Sequence, residues 1–286
     1  APPVNYRLRQ VIPGQLEATF GGGELNVAVS VALQGGRSAF LTSVPDNVIT
    51  DALVQELGKL GVDADLIQRN NVGRFGIYFV ETGANQRGGT VTYDREGASV
   101  THCGPDAYDW DAVFKDAGWF HITGITPALC ELTAAAALES VKQAQQRGVT
   151  VSCDLNFRKK LWRWKSGTKP VELARQTMRS MMPYIDVVIA NEEDADLSLG
   201  IAAESTNVES GQLHVEGYRE VAKTIIQQFP NVSRVAITLR ESISASHNNW
   251  GALLYDAGTD KAWFAPVDAQ QKYSPYEIRN IVDSVG

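Results

Sequence analysis

Gly118-Trp-Phe-His-Ile-Thr123, an alanine-rich helical pattern ending at Gly148, and then Val149-Thr-Val-Ser-Cys153 set the expected architecture of this chain. A short β-branched and aromatic run, a helix and a second short apolar run make a strand–helix–strand unit. Repeated units of this kind build a parallel sheet buried on both faces. Within this one, Thr126 is expected to cap the helix, Pro127 to take its first position and Gly148 to stop it. The alternation then continues: a helix near 171–182, Asp186-Val-Val-Ile-Ala190, a helix over 217–229, and Arg234-Val-Ala-Ile-Thr238. Upstream, a helical pattern over 46–60 closed by Gly61 has the same character. The predicted class is α/β: a central, mostly parallel sheet flanked by helices, read as one domain over 1–286.

Residues 72–103 break this rhythm. Arg74-Phe-Gly-Ile-Tyr-Phe-Val80 and Thr90-Val-Thr-Tyr-Asp94 are rich in aromatic and β-branched residues, and a Gly/Asn loop over 83–89 joins them without a helix. With the β-prone Leu16-Glu-Ala-Thr-Phe20 they are expected to form a small antiparallel sheet, a lid made from about 10–20 plus 72–103.

Composition narrows the classes. Hydrophobic residues make up 44% and charged residues 21% of 286, an ordinary globular balance with ample length for a core. A net charge of −7 argues against a nucleic-acid binder, which carries a basic stripe. Cysteines at 103, 130 and 153 form no CxxC pair, and the four histidines show no metal-ligand spacing. No apolar run approaches the ~18 residues of a membrane span, and no signal peptide is visible. The cytoplasm is the expected compartment, without nucleic-acid or membrane partners.

In an open α/β sheet, ligands bind outside the carboxyl ends of the strands. Polar residues cluster there in Asp154-Leu-Asn-Phe-Arg158, Asn191-Glu-Glu-Asp194, Thr238-Leu-Arg-Glu241 and Asp283-Ser-Val-Gly286. Any one of these alone is what a loop ordinarily carries. Four on one rim suit phosphate and Mg²⁺, which takes one or two carboxylates plus phosphates and waters. The final stretch reads as a strand ending in an acid, then a glycine turn opening a helix, which presents N–H groups to an anion. Gly21-Gly-Gly-Glu-Leu-Asn26 precedes a helix over 27–33 but has Asn26 where a dinucleotide fingerprint needs glycine, which weakens a dehydrogenase. A Walker A loop is absent.

Taken together, Gly21-Gly-Gly-Glu-Leu-Asn26, Val44-Pro-Asp46, Gly76-Ile-Tyr78, Tyr93-Asp-Arg95, Thr123-Gly-Ile-Thr-Pro-Ala-Leu129, Asp154-Leu-Asn-Phe-Arg158 with Leu161-Trp162, and Asn191-Glu-Glu-Asp194 resemble the ribokinase-like (PfkB) carbohydrate kinases. The likeness runs along essentially the whole chain, and it points most to the branch acting on 2-keto-3-deoxygluconate. It implies transfer of the ATP γ-phosphoryl group to the 6-hydroxyl of that sugar acid or a close relative. By the family pattern, Gly22, Asn26, Tyr78, Tyr93, Arg95, Ile125 and Arg158 would bind the sugar acid. Asn156, Arg158, Asn191, Thr238, Arg240 and Asp283 would contact the nucleotide, and Asn191 with Asp194 would organise Mg²⁺ through water. Gly286 and Arg158 would serve catalysis, with the general-base Asp expected just past Gly286. ATP, Mg²⁺ and K⁺ are the implied cofactors, and a homodimer joined through the lid is the implied assembly. A non-catalytic sugar- or nucleotide-binding protein on the same fold and a kinase of neutral sugars are the alternatives. The chain departs from the pattern in four ways. The family's Asp-Thr-x-Gly-Ala-Gly-Asp run is represented only by Asp283-Ser-Val-Gly286. A first strand would precede Ala1 and closing helices would follow Gly286. Asp194 stands where the metal motif usually ends in Glu, and residues 242–250 replace the glycine-rich nucleotide loop.

Overall fold

The structure, a computed structural model, describes residues 6–83, 85–202 and 215–279. It divides into two compact units: residues up to Cys103 together with 242–248 and the segment from Glu277, and residues 104–241 together with 249–276.

The first unit opens with α1 (Leu8–Val11) and α2 (Gly23–Leu33). α2 starts four residues before its expected 27–33, because the Gly22 carbonyl already accepts the Asn26 N–H at 2.8 Å. Strands β1 (Ser38–Ala39) and β2 (Thr42–Pro45) precede α3 (Val48–Lys59). Asn47 caps α3, its Oδ1 accepting the N–H groups of Ile49 and Thr50 at 3.0 and 3.2 Å. Gly61 closes it at φ +79°, a conformation glycine adopts without strain. Strands β3 (Val62–Asp63) and β4 (Ile67–Asn70) pair in parallel with β1 and β2 respectively. Leu25, Ala28, Val44, Leu53, Leu57 and Val62 form this unit's core.

β5 (Ile77–Glu81) and β6 (Thr90–Asp94) are the expected antiparallel pair, with Tyr78 directly opposite Tyr93. Residues 16–20 are in no strand, contrary to their β-prone composition. A strand exists only with a ladder partner, and Thr19 Oγ1 instead donates to the carbonyl of Phe20 at 3.3 Å.

The second unit begins with α4 (Trp110–Phe114) and β7 (Trp119–Thr123), then α5 (Ile125–Ala128) and α6 (Glu131–Gln146). The single helix expected from Thr126 is thus two. Cys130 is extended at φ −162°, its Sγ accepts the Thr133 N–H at 3.5 Å and its own N–H donates to Thr133 Oγ1 at 3.1 Å. That reciprocal cap starts α6 afresh. β8 (Thr150–Asp154), α7 (Pro170–Met181), β9 (Val187–Ala190), α8 (Glu192–Leu199), α9 (Val215–Gln228) and β10 (Arg234–Ser244) continue the alternation. β11 (His247–Asp256), β12 (Lys261–Ala265) and β13 (Tyr276–Arg279) complete the described strands.

β7, β8, β9 and β10 lie side by side in chain order and are parallel; β11 and β12 extend the sheet, and β13 pairs with β11. α6, α7 and α9 lie in the crossovers between these consecutive parallel neighbours. Val151, Cys153, Val188, Val235 and Ile237 pack with Val141, Met178 and Ile225, each fully or almost fully buried. Residues 242–250, expected as a loop, instead form the end of a long hairpin. Among the described residues no helix is long and apolar enough to cross a membrane.

Candidate active site

The structure gathers the candidate residues into two groups, one in each unit. In the first, strand pairing brings Tyr78 and Tyr93 together with ring centroids 6.5 Å apart, and Arg95 lies over both, 5.4 and 4.8 Å from their centroids. Two aromatic faces hold the guanidinium by cation–π attraction and leave its N–H edge to donate. Gly21 approaches closely: a Cβ there would lie 3.1 Å from the Tyr78 hydroxyl. Gly22 donates its N–H to Asn26 Oδ1 at 3.3 Å, so the two residues act as one turn at the start of α2.

In the second unit the parallel register sets the rim. Thr123 is opposite Asp154, Asp154 is opposite Ile189, and Ala190 is opposite Ile237. Thr123, Asp154, Asn191 and Thr238 therefore sit within two residues of one row at the carboxyl edge. Ile125 follows β7 at the first turn of α5, its N–H donating to Thr123 Oγ1 at 3.2 Å. Thr238 is not at a strand end, because β10 continues to Ser244. Arg240 lies farther along that strand, over the ring of Trp250 at 5.6 Å. Asp283 and Gly286 lie outside the described residues.

After β8 the chain makes a turn through Leu155, Asn156, Phe157 and Arg158. Asn156 has φ +36°, and its N–H donates to Asp154 Oδ1 at 3.2 Å. The Phe157 N–H donates to Asp194 Oδ1 at 2.9 Å, while Arg158 Nη1 donates to the Phe157 carbonyl at 3.0 Å. Asn191 caps α8 by accepting the Asp194 N–H at 2.7 Å. Burial pushes the Asp194 carboxyl above the usual range; the Phe157 N–H and the positive charge of Arg158 oppose that rise.

Three further positions, Gly21, Gly124 and Asp154, shape the site. A Cβ on Gly124 would lie 2.1 Å from the Leu155 carbonyl oxygen, so the turn after β8 needs a bare glycine beside it. Asp154 accepts through its side chain from the Asn156 N–H and through its carbonyl from the Gly124 N–H at 2.8 Å. Only the run of three glycines at 21–23 signalled Gly21, and nothing local signalled Gly124.

The structure aligns with that of a 2-dehydro-3-deoxygluconokinase from Thermotoga maritima at TM-score 0.85 and 38% identity, over 99% of this chain and 78% of the other. In sequence the chain is 35% identical over 194 residues to a 2-dehydro-3-deoxygalactonokinase of Haloferax volcanii, covering 68% of this chain and 58% of that protein. It is 29% identical over 192 residues to a 2-dehydro-3-deoxygluconokinase of Dickeya dadantii, covering 65% of this chain and 60% of that one. The matched part therefore spans about three fifths of the length of these curated relatives. Residues 6–286 match the model of the pfkB family carbohydrate kinases, and the chain belongs to that family.

Proposed function

We propose that the chain supplies substrate-facing residues of a kinase that transfers the γ-phosphoryl group of ATP to the 6-hydroxyl of 2-keto-3-deoxygluconate or a closely related sugar acid. The observation that carries this proposal is Arg95 stacked on Tyr78 and Tyr93. A sugar acid needs a cationic donor for its carboxylate, and a neutral sugar does not. A hydrogen bond to a charged group contributes about 1.5–3 kcal/mol, roughly tenfold to a hundredfold in affinity. The relatives named for 2-dehydro-3-deoxy sugar acids support the same substrate class.

In this scheme Gly22 and Asn26 bind sugar hydroxyls, and Gly21 leaves the Tyr78 hydroxyl uncrowded. The β5–β6 hairpin serves as the lid that excludes water from the bound sugar acid. Ile125 borders the sugar, while Asn156, Thr238 and Arg240 face the nucleotide. Arg158 is exposed and has one nitrogen on the Phe157 carbonyl; its other N–H groups are assigned to the transferring phosphate. Asp283 and Gly286 are assigned to the phosphate-binding turn.

Among the described residues no group of three or more His, Cys, Asp or Glu could hold a metal directly. Asn191 Oδ1 and Asp194 Oδ1 each already accept a backbone N–H. Their remaining acceptor capacity fits Mg²⁺ held through water, the ion that offsets phosphate charge when ATP binds. K⁺ belongs to the same proposal with no residues assigned to it, as do the cytoplasmic location and a homodimer joined through β5–β6. Sedimentation of the full-length protein as a monomer would remove the dimer.

The test is an ADP-release assay on the full-length protein against sugar acids and neutral sugars, with the Arg95→Ala variant alongside. The sugar acid is expected to be the preferred acceptor, and the variant to raise its KM about tenfold to a hundredfold. Ribose or fructose outperforming every sugar acid would overturn the substrate class. Sugar-acid binding without any ADP release would favour the non-catalytic alternative.

A further inference from the structure

Asn156 has φ +36°, a left-handed conformation that Asn tolerates better than most residues but that persists only where the surroundings enforce it. On one side of it, the Leu155 N–H still pairs with the Ile189 carbonyl at 2.9 Å as an extension of the β8–β9 ladder. On the other, Phe157 is buried while Arg158 is exposed. The backbone must therefore turn from sheet to rim within three residues, and the Phe157 peptide is the point where it is held. Its N–H donates to Asp194 Oδ1 at 2.9 Å and its carbonyl accepts from Arg158 Nη1 at 3.0 Å. Asp194 is itself placed by the Asn191 cap on α8, and it is only 6% exposed.

We infer that Asp194 is a positioning residue: its carboxylate latches the Phe157 N–H, and through that peptide it fixes the Arg158 guanidinium at the rim. The shorter Asp suits this role, because an oxygen one methylene from the backbone reaches a neighbouring main-chain N–H while staying buried. The feature that matters is the acceptor rather than the negative charge. Asn at this position can still present an oxygen to the Phe157 N–H; Ala cannot. The kinetic consequence rests on the kinase reading above, whereas the latch itself does not.

Two measurements on the full-length protein test it. First, hydrogen exchange at the Phe157 amide should be at least tenfold faster in Asp194→Ala than in Asp194→Asn, whatever reaction the protein performs. Equal exchange in the two variants would overturn the latch. Second, the loss in kcat/KM for the sugar acid in the double variant Asp194→Ala/Arg158→Ala should be at least tenfold smaller than the product of the two single losses, because the two residues are coupled. Losses that multiply in full, or an Asp194→Ala variant with no change at the Phe157 amide, would overturn the positioning role and leave Asp194 only the water-mediated Mg²⁺ contact proposed above. Should Asp194→Ala fail to fold, Asp194→Asn carries the test against the parent. Its Phe157 amide should remain protected within about threefold, and tenfold faster exchange would overturn the proposal. A full-length protein that phosphorylates no sugar acid removes the kinase reading and leaves the exchange result to stand on its own.

Discussion

Gly124 shows how one atom constrains the turn that carries Arg158. Its own backbone, φ −65° and ψ −4°, is open to any residue. The restriction is space: a Cβ would sit 2.1 Å from the Leu155 carbonyl oxygen, and main chain at the end of a paired strand has little room to yield. Gly124→Ala is therefore expected to cost about 1–3 kcal/mol as an overpacked site. In a unit of this size that lowers the melting temperature by roughly 2–4 °C per kcal/mol. Calorimetry of the variant checks it, and an unchanged melting temperature would show that the Leu155 peptide shifts freely. Such a contact joins residues 31 positions apart in the chain, so no local pattern announces it. Tyr78 facing Tyr93 is different. Two aromatic strands joined by a short glycine-containing loop lead directly to cross-strand pairing, and that juxtaposition was legible in the sequence.

Strands and helices were legible wherever an apolar period was present. β7, β8, β9, α3 and α7 all fall within a few residues of their sequence patterns, because a buried parallel strand and an amphipathic helix each impose a period on the residues. The β10–β11 hairpin was missed beyond Glu241 for the complementary reason. Its outer half, Ser242-Ile-Ser-Ala-Ser-His-Asn-Asn249, is rich in residues that usually mark loops. It is tied instead by polar cross-strand bonds: Ser242 Oγ with Asn248 Oδ1 at 3.0 Å, and Asn249 Nδ2 donating to Glu241 Oε2 at 2.7 Å. At its base Arg234 Nε donates to Asp256 Oδ2 at 3.0 Å, and Thr259 donates to the other carboxylate oxygen. The bond from Arg234, then those from Thr259, hold the Asp256 carboxyl below the ordinary carboxylate range. A depressed folded-state value contributes stability that is present above the unfolded-state value and lost as pH falls through the folded one. Asp256→Asn should therefore melt below the parent at pH 7, and the gap should narrow as pH falls below about 4. Melting curves at both pH values check this, and a gap that widens in acid would contradict the assigned cause.

Across the full chain, the α/β class followed from the alternation of patterns, but the division into two compact units did not, because it depends on which buried residues meet. Leu57, 2% exposed, belongs with Leu25, Val44, Leu53 and Val62 in the first unit's core. Met178, fully buried, belongs to the larger core beneath the parallel strands of the second. A unit with its own core can unfold as its own cooperative step, and a chain with two such units need not be two-state. Removing a buried Leu or Met side chain to Ala costs about 2–5 kcal/mol, since it loses burial and leaves a cavity. Leu57→Ala is therefore expected to lower the transition of the first unit while leaving that of the second within about a degree, and Met178→Ala to do the reverse. Hydrogen exchange followed through a denaturant series distinguishes the units, because amides around α3 and β2 report on one and those around α7 and β9 on the other. If both substitutions displaced both sets of amides equally, the two cores would be one cooperative structure, and independent unfolding would have to be abandoned.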